Sequence, residues 1–367
     1  MGGPAAPIGG ACAECRRRSW LLGDLSPLLD YHRGEQARLA ELLELEGSRL
    51  IAALAGGRRD QLAQAYRELE GSAIAGEGIC AHAPGWPAAL GRAAGTRMLW
   101  SSTPPARLGR LLEAPAIAIL GSRAAGPYGL ELAGGLARGL AAAGVTVVAG
   151  LAGELARAVH LGAMEGRGGS LAVAGDGLER IRPERSARLA RELGRAGSVV
   201  SELPARASGR GWGAVAAEHR ASEIAGVAIL VEDEPDGAAT GIARSAMDRG
   251  LALGAVPGPV TSPLSAGPHA MLMAGACLIR DARDALELLY SHRPEPAPQV
   301  PESSRAAQVE HRLRRVLARV AAGEDTAERL GRGAPDPGEV AAALGELEAL
   351  GLVRRLPGGR YMARGRL

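Results

Sequence analysis

The chain has 367 residues, 47% of them hydrophobic, enough for two or three domains with proper cores. All 43 basic residues are Arg, and Lys, Asn and Phe are absent, which excludes lysine-based catalysis. A net charge of +3 permits nucleic-acid binding without demanding it. No apolar run reaches the roughly 18 residues of a membrane span, and no basic n-region leads into an apolar h-region, so a cytoplasmic protein with no membrane partner is expected.

Residues 1–18 are rich in Gly, Ala and Pro, end in Arg16-Arg17-Arg18, and read as a flexible tail. Within them Cys12-Ala-Glu-Cys15 has metal-ligand spacing, and Cys80-Ala-His82 is the pair that could complete a four-ligand set. That second half is not a standard zinc pair, so the expectation is two thiols in a tail, with no metal and no cofactor. Four cysteines in so long a chain do not suggest a disulfide framework, and Cys277, in an apolar strand-like run, reads as core.

Over 19–72, apolar residues recur at helical spacing, as in Leu39, Leu42 and Leu43, then Leu50, Ile51 and Leu54, with breaks at Gly47 and Gly56-Gly57. This predicts a small helical domain of the SAM or helix-hairpin-helix kind, which could grip a DNA backbone or simply pack. Residues 73–115 carry Pro84, Pro87, Pro104, Pro105 and Pro115 and read as an irregular connector. From 116 to 290, β-like runs at 116–120, 145–149, 171–174, 198–201, 227–231, 253–256 and 277–279 alternate with helical stretches. The alternation predicts an α/β domain, a Rossmann-like doubly wound parallel sheet whose ligands bind beyond the carboxyl ends of the strands. Residues 291–306, with Pro294, Pro296, Pro298 and Pro301, read as a linker.

In 307–367, helical stretches near 308–322 and 339–350 are followed by Gly351-Leu-Val-Arg-Arg355 and Leu356-Pro-Gly-Gly-Arg360, which predicts a winged helix with a hairpin wing. The recognition helix would carry Glu339, Glu346 and Glu348 and no Arg, while Arg354, Arg355, Arg360, Arg364 and Arg366 make the wing basic. Backbone contact or a protein partner fits that better than base reading.

The most telling local feature is Gly121-Ser122-Arg123, set between the first β-like run and the helix start Pro127-Tyr128-Gly129. A strand, a small-residue turn and a helix N-terminus make an anion site, to which Ser122 adds a hydroxyl and Arg123 a charged fork. Further corners follow in order. Gly150-Leu-Ala152 precedes His160 and Gly162-Ala163. Gly175-Asp-Gly-Leu-Glu-Arg-Ile181 precedes Pro183, and Ser201-Glu-Leu-Pro204 precedes Val256-Pro-Gly258-Pro-Val-Thr-Ser262-Pro-Leu-Ser265-Ala-Gly267.

This ordered set, from about Cys80 to Leu289, resembles the DprA/Smf family of DNA-processing proteins. Cys80-Ala-His-Ala-Pro-Gly-Trp-Pro-Ala-Ala-Leu90 looks like that family's lead-in, and the terminal domains look like its appendages. The resemblance implies a non-enzymatic, homodimeric binder of single-stranded DNA that protects incoming strands and loads the RecA recombinase during natural transformation. It also brings departures. The family's Gly-Leu-Ala-Arg-Gly-Ile-Asp appears as Gly150-Leu-Ala-Gly-Glu-Leu-Ala156, which removes a basic residue. Its Arg-Asn-Arg stretch has become Ala217-Glu218-His219, with Arg220 one step on. Its Ser-Gly-Ser-x-x-Thr-Ala loop has become Gly237-Ala-Ala-Thr240-Gly-Ile-Ala243.

The candidate phosphate and DNA contacts are therefore Gly121, Ser122, Arg123, Gly150, His160, Trp212, His219, Arg220, Thr240, Gly258, Ser262 and Ser265. Arg123 is first, with a surface ion pair as its plain alternative. His160 also reads as a hydrogen-bonded structural histidine. Trp212, in the Gly-rich stretch 208–213, could stack on a base or serve as a packing lid. Ser262 and Ser265 could donate hydroxyls or simply shape the turn, and His269 stands where the family commonly has Asn.

Two other classes compete. A diverged relative with weakened DNA binding would act as a protein-interaction module. A nucleotide-ribose hydrolase on a related frame would need a Pro-Gly-Gly-x-Gly-Thr-x-x-Glu motif, which is absent, and no Gly-x-Gly-x-x-Gly marks a dinucleotide enzyme.

Overall fold

The computed structural model describes residues 10–83, 86, 97–166, 168–291, 311–332, 337–356 and 358–363. It divides into two compact units, Met1–Val300 and Pro301–Leu367.

The first unit begins with helices α1 (Ala13–Asp24), α2 (Ser26–Leu29), α3 (Gln36–Glu44), α4 (Gly47–Leu54) and α5 (Arg59–Glu68). The strands are β1 (Gly78–Cys80), β2 (Met98–Ser101), β3 (Ala116–Leu120), β4 (Thr146–Gly150), β5 (Ser170–Ala174), β6 (Ser198–Ser201), β7 (Val227–Leu230), β8 (Ala252–Ala255) and β9 (Cys277–Leu278). Between and after them run α6 (Pro105–Glu113), α7 (Pro127–Ala142), α8 (Gly153–Met164), α9 (Glu184–Ala196), α10 (Arg210–Ala225), α11 (Ala238–Asp248), α12 (Ala266–Met273) and α13 (Ala282–Tyr290). The nine strands form one sheet in the order β1-β2-β6-β5-β4-β3-β7-β8-β9. From β6 to β9 neighbours are parallel, while β1 and β2 pair antiparallel and β2 joins β6 antiparallel.

The continuous apolar runs become strands because both faces of the sheet are covered. Along β3, Ile117 and Ile119 enter one core with Leu136 and Leu140 of α7. Ala116, Ala118 and Leu120 enter the opposite core with Ala221, Ile224, Ile242 and Ala243 of α10 and α11. That is the two-residue period of a strand feeding two layers, and each large aliphatic side chain so buried contributes about 1.5–3 kcal/mol. From β3 the chain steps outward through β4, β5 and β6, then returns to β7 on the other side of β3. Strand order reverses there, and a crevice opens at the carboxyl ends.

Three expectations are corrected. The stretch 73–115 is not an irregular connector: it supplies β1, β2 and α6 and lengthens the sheet, with Pro104 and Pro105 at the start of α6, where a missing N–H costs nothing. Of the lead-in, residues 84, 85 and 87–90 lie outside the described residues. The tail expectation fails for its described part, because the Ala11 N–H donates to the Gly78 carbonyl at 3.0 Å and α1 starts at Ala13; residues 1–9 lie outside the described residues. Cys277 is exposed rather than core, since β9 is the last strand of the sheet.

The N-terminal helices share their core with the α/β layer. Leu21, Leu25, Leu29, Leu39, Leu42, Leu50 and Ile51 pack with Leu203, Trp212 and Ala216.

In the second unit, helices His311–Ala321, Ala327–Gly331 and Pro337–Ala349 precede an antiparallel hairpin of Val353–Leu356 with Arg360–Ala363. Leu313, Leu317, Leu330, Leu344 and Leu347 form its core, and a bridge joins Thr326 to Arg360. Linker residues 292–306, together with Arg364 and Arg366, lie outside the described residues. Among the described residues no helix is long and apolar enough to cross a membrane.

Candidate nucleic-acid interface

The carboxyl end of β3 turns sharply at Gly121. A Cβ there would lie 2.6 Å from a Leu155 methyl and 3.0 Å from the Glu232 carbonyl, so the turn needs glycine. The Ser122 N–H donates to the Glu232 carbonyl at 2.6 Å, and the Ser122 hydroxyl accepts from the Ala124 N–H at 3.2 Å. Arg123 is exposed and lies against Gly153, which opens α8 with a φ of 91°.

The helix N-terminus beside this turn already holds an anion. The Gly126 N–H, at the head of α7, donates to the Glu232 carboxylate at 2.8 Å. Glu232 is 3% exposed, and its carboxylate also fills the space beside Gly129. The amide cradle expected for a phosphate is thus partly occupied by a side chain from the segment after β7, which leaves Arg123 as the open cationic group of this corner.

One strand over, a cavity of about 120 Å³ opens at the carboxyl ends of β4 and β5. Gly150, Gly175 and Asp176 line its floor, α10 contributes Ala217 and Glu218, and the exposed Arg182 and Arg210 flank it. The Asp176 carboxylate accepts from the Gly209 N–H at 2.8 Å and the Ser208 hydroxyl at 3.2 Å. That pins the chain just before Arg210, whose φ of 52° is a left-handed conformation for a non-glycine residue. Burial pushes the Glu218 carboxyl up to about 7; the charge of Arg123 opposes the rise and Asp233 adds to it. Glycine floors, exposed arginines and one carboxyl that gives up its charge near neutrality form a surface able to take phosphates.

The other expected contacts divide. Gly150 ends β4, and its carbonyl lies 2.8 Å from His160 Nε2, whose Nδ1 lies 2.9 Å from the Ser170 hydroxyl. His160 is fully buried, pushed down to about 4 by that burial, and ties β4 to β5 from beneath. It reaches no open surface.

Trp212 does not lie in a loop available to a base. It sits in α10 at 2% exposure, its indole N–H donating to Ser26 at 2.9 Å and its backbone N–H to Asp30 at 3.0 Å. The reason is tertiary, since α2 and α3 cover the face of α10 turned away from the sheet. Arg220 is likewise withdrawn: 5% exposed, it pairs with Glu202 at 3.2 Å and with Glu223. His219, one residue earlier, is half-buried; desolvation, then Arg249 and Arg220, push it down to about 4.

Thr240 is fully buried in the first turn of α11, its hydroxyl donating to the Glu234 carbonyl at 2.8 Å and its N–H to the Asp233 carboxylate at 2.8 Å, so it is tied to the segment before the helix instead of facing ligand. In the 256–267 loop, the Gly258 carbonyl lies 3.1 Å from His269 Nε2, and Ser262 and Ser265 are linked by a backbone bond of 3.0 Å. Ser262 is half-exposed and Ser265 buried. Of the twelve expected residues, the structure brings Arg123, Ser122, Gly121 and Gly150 to the carboxyl edge of the central strands and withdraws His160, Trp212, Arg220, Thr240 and Ser265.

Sequence reasoning missed Arg182, Arg210, Glu218 and Glu232 as parts of this surface. Arg182 was readable from its place just after the Gly175-Asp-Gly corner. Glu232 was readable as the first of the acids that follow an apolar strand. Among the described residues, one set of side chains has the composition to hold a metal, Cys12, Cys15, Cys80 and His82.

Residues 83–290 match the family of DNA recombination-mediator protein A. The chain is 32% identical over 251 residues to Protein Smf of Escherichia coli, a match that covers 66% of each chain, just under two thirds of that relative's length. Its fold is similar to that of DNA processing protein A from Streptococcus pneumoniae, with a TM-score of 0.59, 22% identity and coverage of 74% of this chain and 95% of that one. It is also similar to the Helicobacter pylori DNA processing protein A, whose structure describes a unique single-stranded DNA binding mode, with a TM-score of 0.50, 21% identity and coverage of 56% and 93%. With more than half of its length inside the family match, and the ordered corners of the sheet falling within it, the chain belongs to the DprA/Smf family of DNA recombination-mediator proteins.

Proposed function

We propose that this protein binds single-stranded DNA along the carboxyl edge of its sheet, with Arg123, Arg182 and Arg210 contacting successive phosphates around the cavity between β4 and β5. The observation that carries the reading is two exposed arginines, Arg182 and Arg210, on the rim of the glycine-floored cavity, with the exposed Arg123 at the neighbouring β3 corner against Gly153, in a family with a Helicobacter pylori member described as binding single-stranded DNA. Such binding is electrostatic, sequence-tolerant and steeply salt-dependent. It involves no catalytic step. The same reading extends to protection of incoming strands and loading of RecA in the cytoplasm. It also extends to a homodimer, to which the exposed Met273 and Leu278 near the last strand offer apolar surface. The helices and hairpin of the second unit fit a winged helix that meets DNA backbone or a protein partner.

The test is fluorescence anisotropy of a labelled oligo-dT across a salt series, for the wild type and for Arg123→Ala, Arg182→Ala and Arg210→Ala. Each lost phosphate contact should flatten the slope of log affinity against log salt by about 0.7. Absence of wild-type binding at low salt, or a slope untouched in all three variants, would overturn the reading.

A further inference from the structure

The segment before the family match, which begins at residue 83, carries a feature that DNA binding does not use. Cys12 caps α1 and Cys15 lies in its first turn, an i, i+3 pair on one face of the helix. Cys80 ends β1, and the turn that follows, closed by the Ala83 N–H to the Cys80 carbonyl at 2.9 Å, returns His82 toward it. One ligand atom from each of these four residues lies within 4.8 Å of all the others. His82 Nδ1 is 3.4 Å from the sulfur of Cys12 and 3.4 Å from that of Cys15, and the Cys12 N–H donates to the Cys80 sulfur at 3.3 Å.

From this juxtaposition we propose that Cys12, Cys15, Cys80 and His82 form a structural zinc site that fastens α1 to the first strand of the sheet. Zinc bound by three sulfurs at about 2.3 Å and one nitrogen at about 2.0–2.1 Å forms a tetrahedron with edges of roughly 3.5–3.8 Å; here two sulfur–nitrogen edges are 3.4 Å and the other edges lie within 4.8 Å. The donor set, soft thiolates with one imidazole, suits zinc over magnesium or calcium. Four protein ligands leave no open position, so the metal holds structure and does no chemistry.

On binding, the three thiols release their protons to solvent and the imidazole coordinates as the neutral base. The negative charge that remains faces the N-terminus of α1, and an amide already donates to one of the sulfurs. The Arg16 guanidinium is held nearby, over the Trp100 ring at 5.0 Å and on the Ile74 carbonyl at 2.6 Å. Cys15 and Cys80 are buried beside Met98 and Trp100, so the metal would clip the first helix to β1 and β2 across some seventy residues of chain.

The experiment is elemental analysis of the full-length protein, purified under reducing conditions without a metal-binding tag, followed by cobalt(II) titration of the chelator-stripped protein. The expected result is about one zinc per chain. Cobalt should give the thiolate charge-transfer and tetrahedral d–d bands, and chelation should lower the melting temperature. Cys12→Ser and His82→Ala change ligands outside the buried core, so the chain still folds, but each should lose zinc on dialysis and shift the cobalt spectrum. The proposal is overturned by protein that takes up neither metal stoichiometrically, by variants that retain zinc as the wild type does, by stoichiometric iron in place of zinc, or by a Cys12–Cys15 disulfide as the resting state.

Discussion

The Gly126 amide donates to the Glu232 carboxylate at 2.8 Å, joining the head of α7 to the segment just after β7 across the point where strand order reverses. A fold of this class commonly presents such a helix terminus to an anionic ligand. Here the chain supplies the anion itself, and the ligand-facing cations are side chains. In the proposed binding mode, affinity then depends on arginines and is reduced by a fixed negative charge in the crevice.

Glu232→Gln removes that charge while keeping an oxygen for the Gly126 N–H. Oligo-dT affinity at low salt should rise by about fivefold, equivalent to about 1 kcal/mol for one charge at short range in a partly aqueous site. Stability should fall by about 0.5–2 kcal/mol, because a charge-assisted bond at a helix N-terminus becomes a neutral one. Anisotropy and urea denaturation of the same preparation read both effects, and an unchanged affinity would mean that the strand does not pass this corner.

His160 supplies a pH signature of the fold. Buried between the Gly150 carbonyl and the Ser170 hydroxyl, it is pushed down to about 4 from an ordinary value near 6.5. Between those values the unfolded chain binds the proton and the folded chain does not, so stability is complete above about pH 6.5 and is lost as pH falls toward 4. Between pH 7 and pH 5 the loss from this group is about 2 kcal/mol. His219, shifted in the same direction, adds to it. Urea midpoints should fall across that window in the wild type and fall less in His160→Gln, which is weaker at neutral pH but has no imidazole to protonate at this position.

The strands of the central sheet were readable because each is a short, mainly apolar run with at most small hydroxyl residues among them, the pattern of a strand covered on both faces. β1 and β2 were not, since three- and four-residue strands separated by a proline-bearing stretch carry too little period to outweigh those prolines. The geometry of the candidate site was half readable. Turn glycines and the arginine that follows them are local signals, so Gly121, Arg123 and Gly150 could be found. Trp212 and Arg220 were misassigned because their surroundings come from far away in sequence: Ser26 and Asp30 take the tryptophan, Glu202 and Glu223 the arginine. The Cys12 and Cys15 spacing was equally visible, but the proximity of Cys80 and His82 to it is a property of the folded chain.

Arg210 separates binding from stability. Its φ of 52° at the first residue of α10 is costly for any side chain and natural for glycine. Its position beside the cavity places a cation at the carboxyl ends of β4 and β5. Arg210→Gly should therefore stabilise the protein by about 1 kcal/mol, a rise of a few degrees in melting temperature, while weakening oligo-dT binding and flattening its salt slope by about 0.7. Arg210→Ala should weaken binding equally without the stability gain, because alanine keeps the strained backbone. Calorimetry and anisotropy on the pair distinguish a residue held in strain for its charge from one whose conformation is incidental: a glycine variant that is more stable and binds as tightly as the wild type would remove Arg210 from the interface.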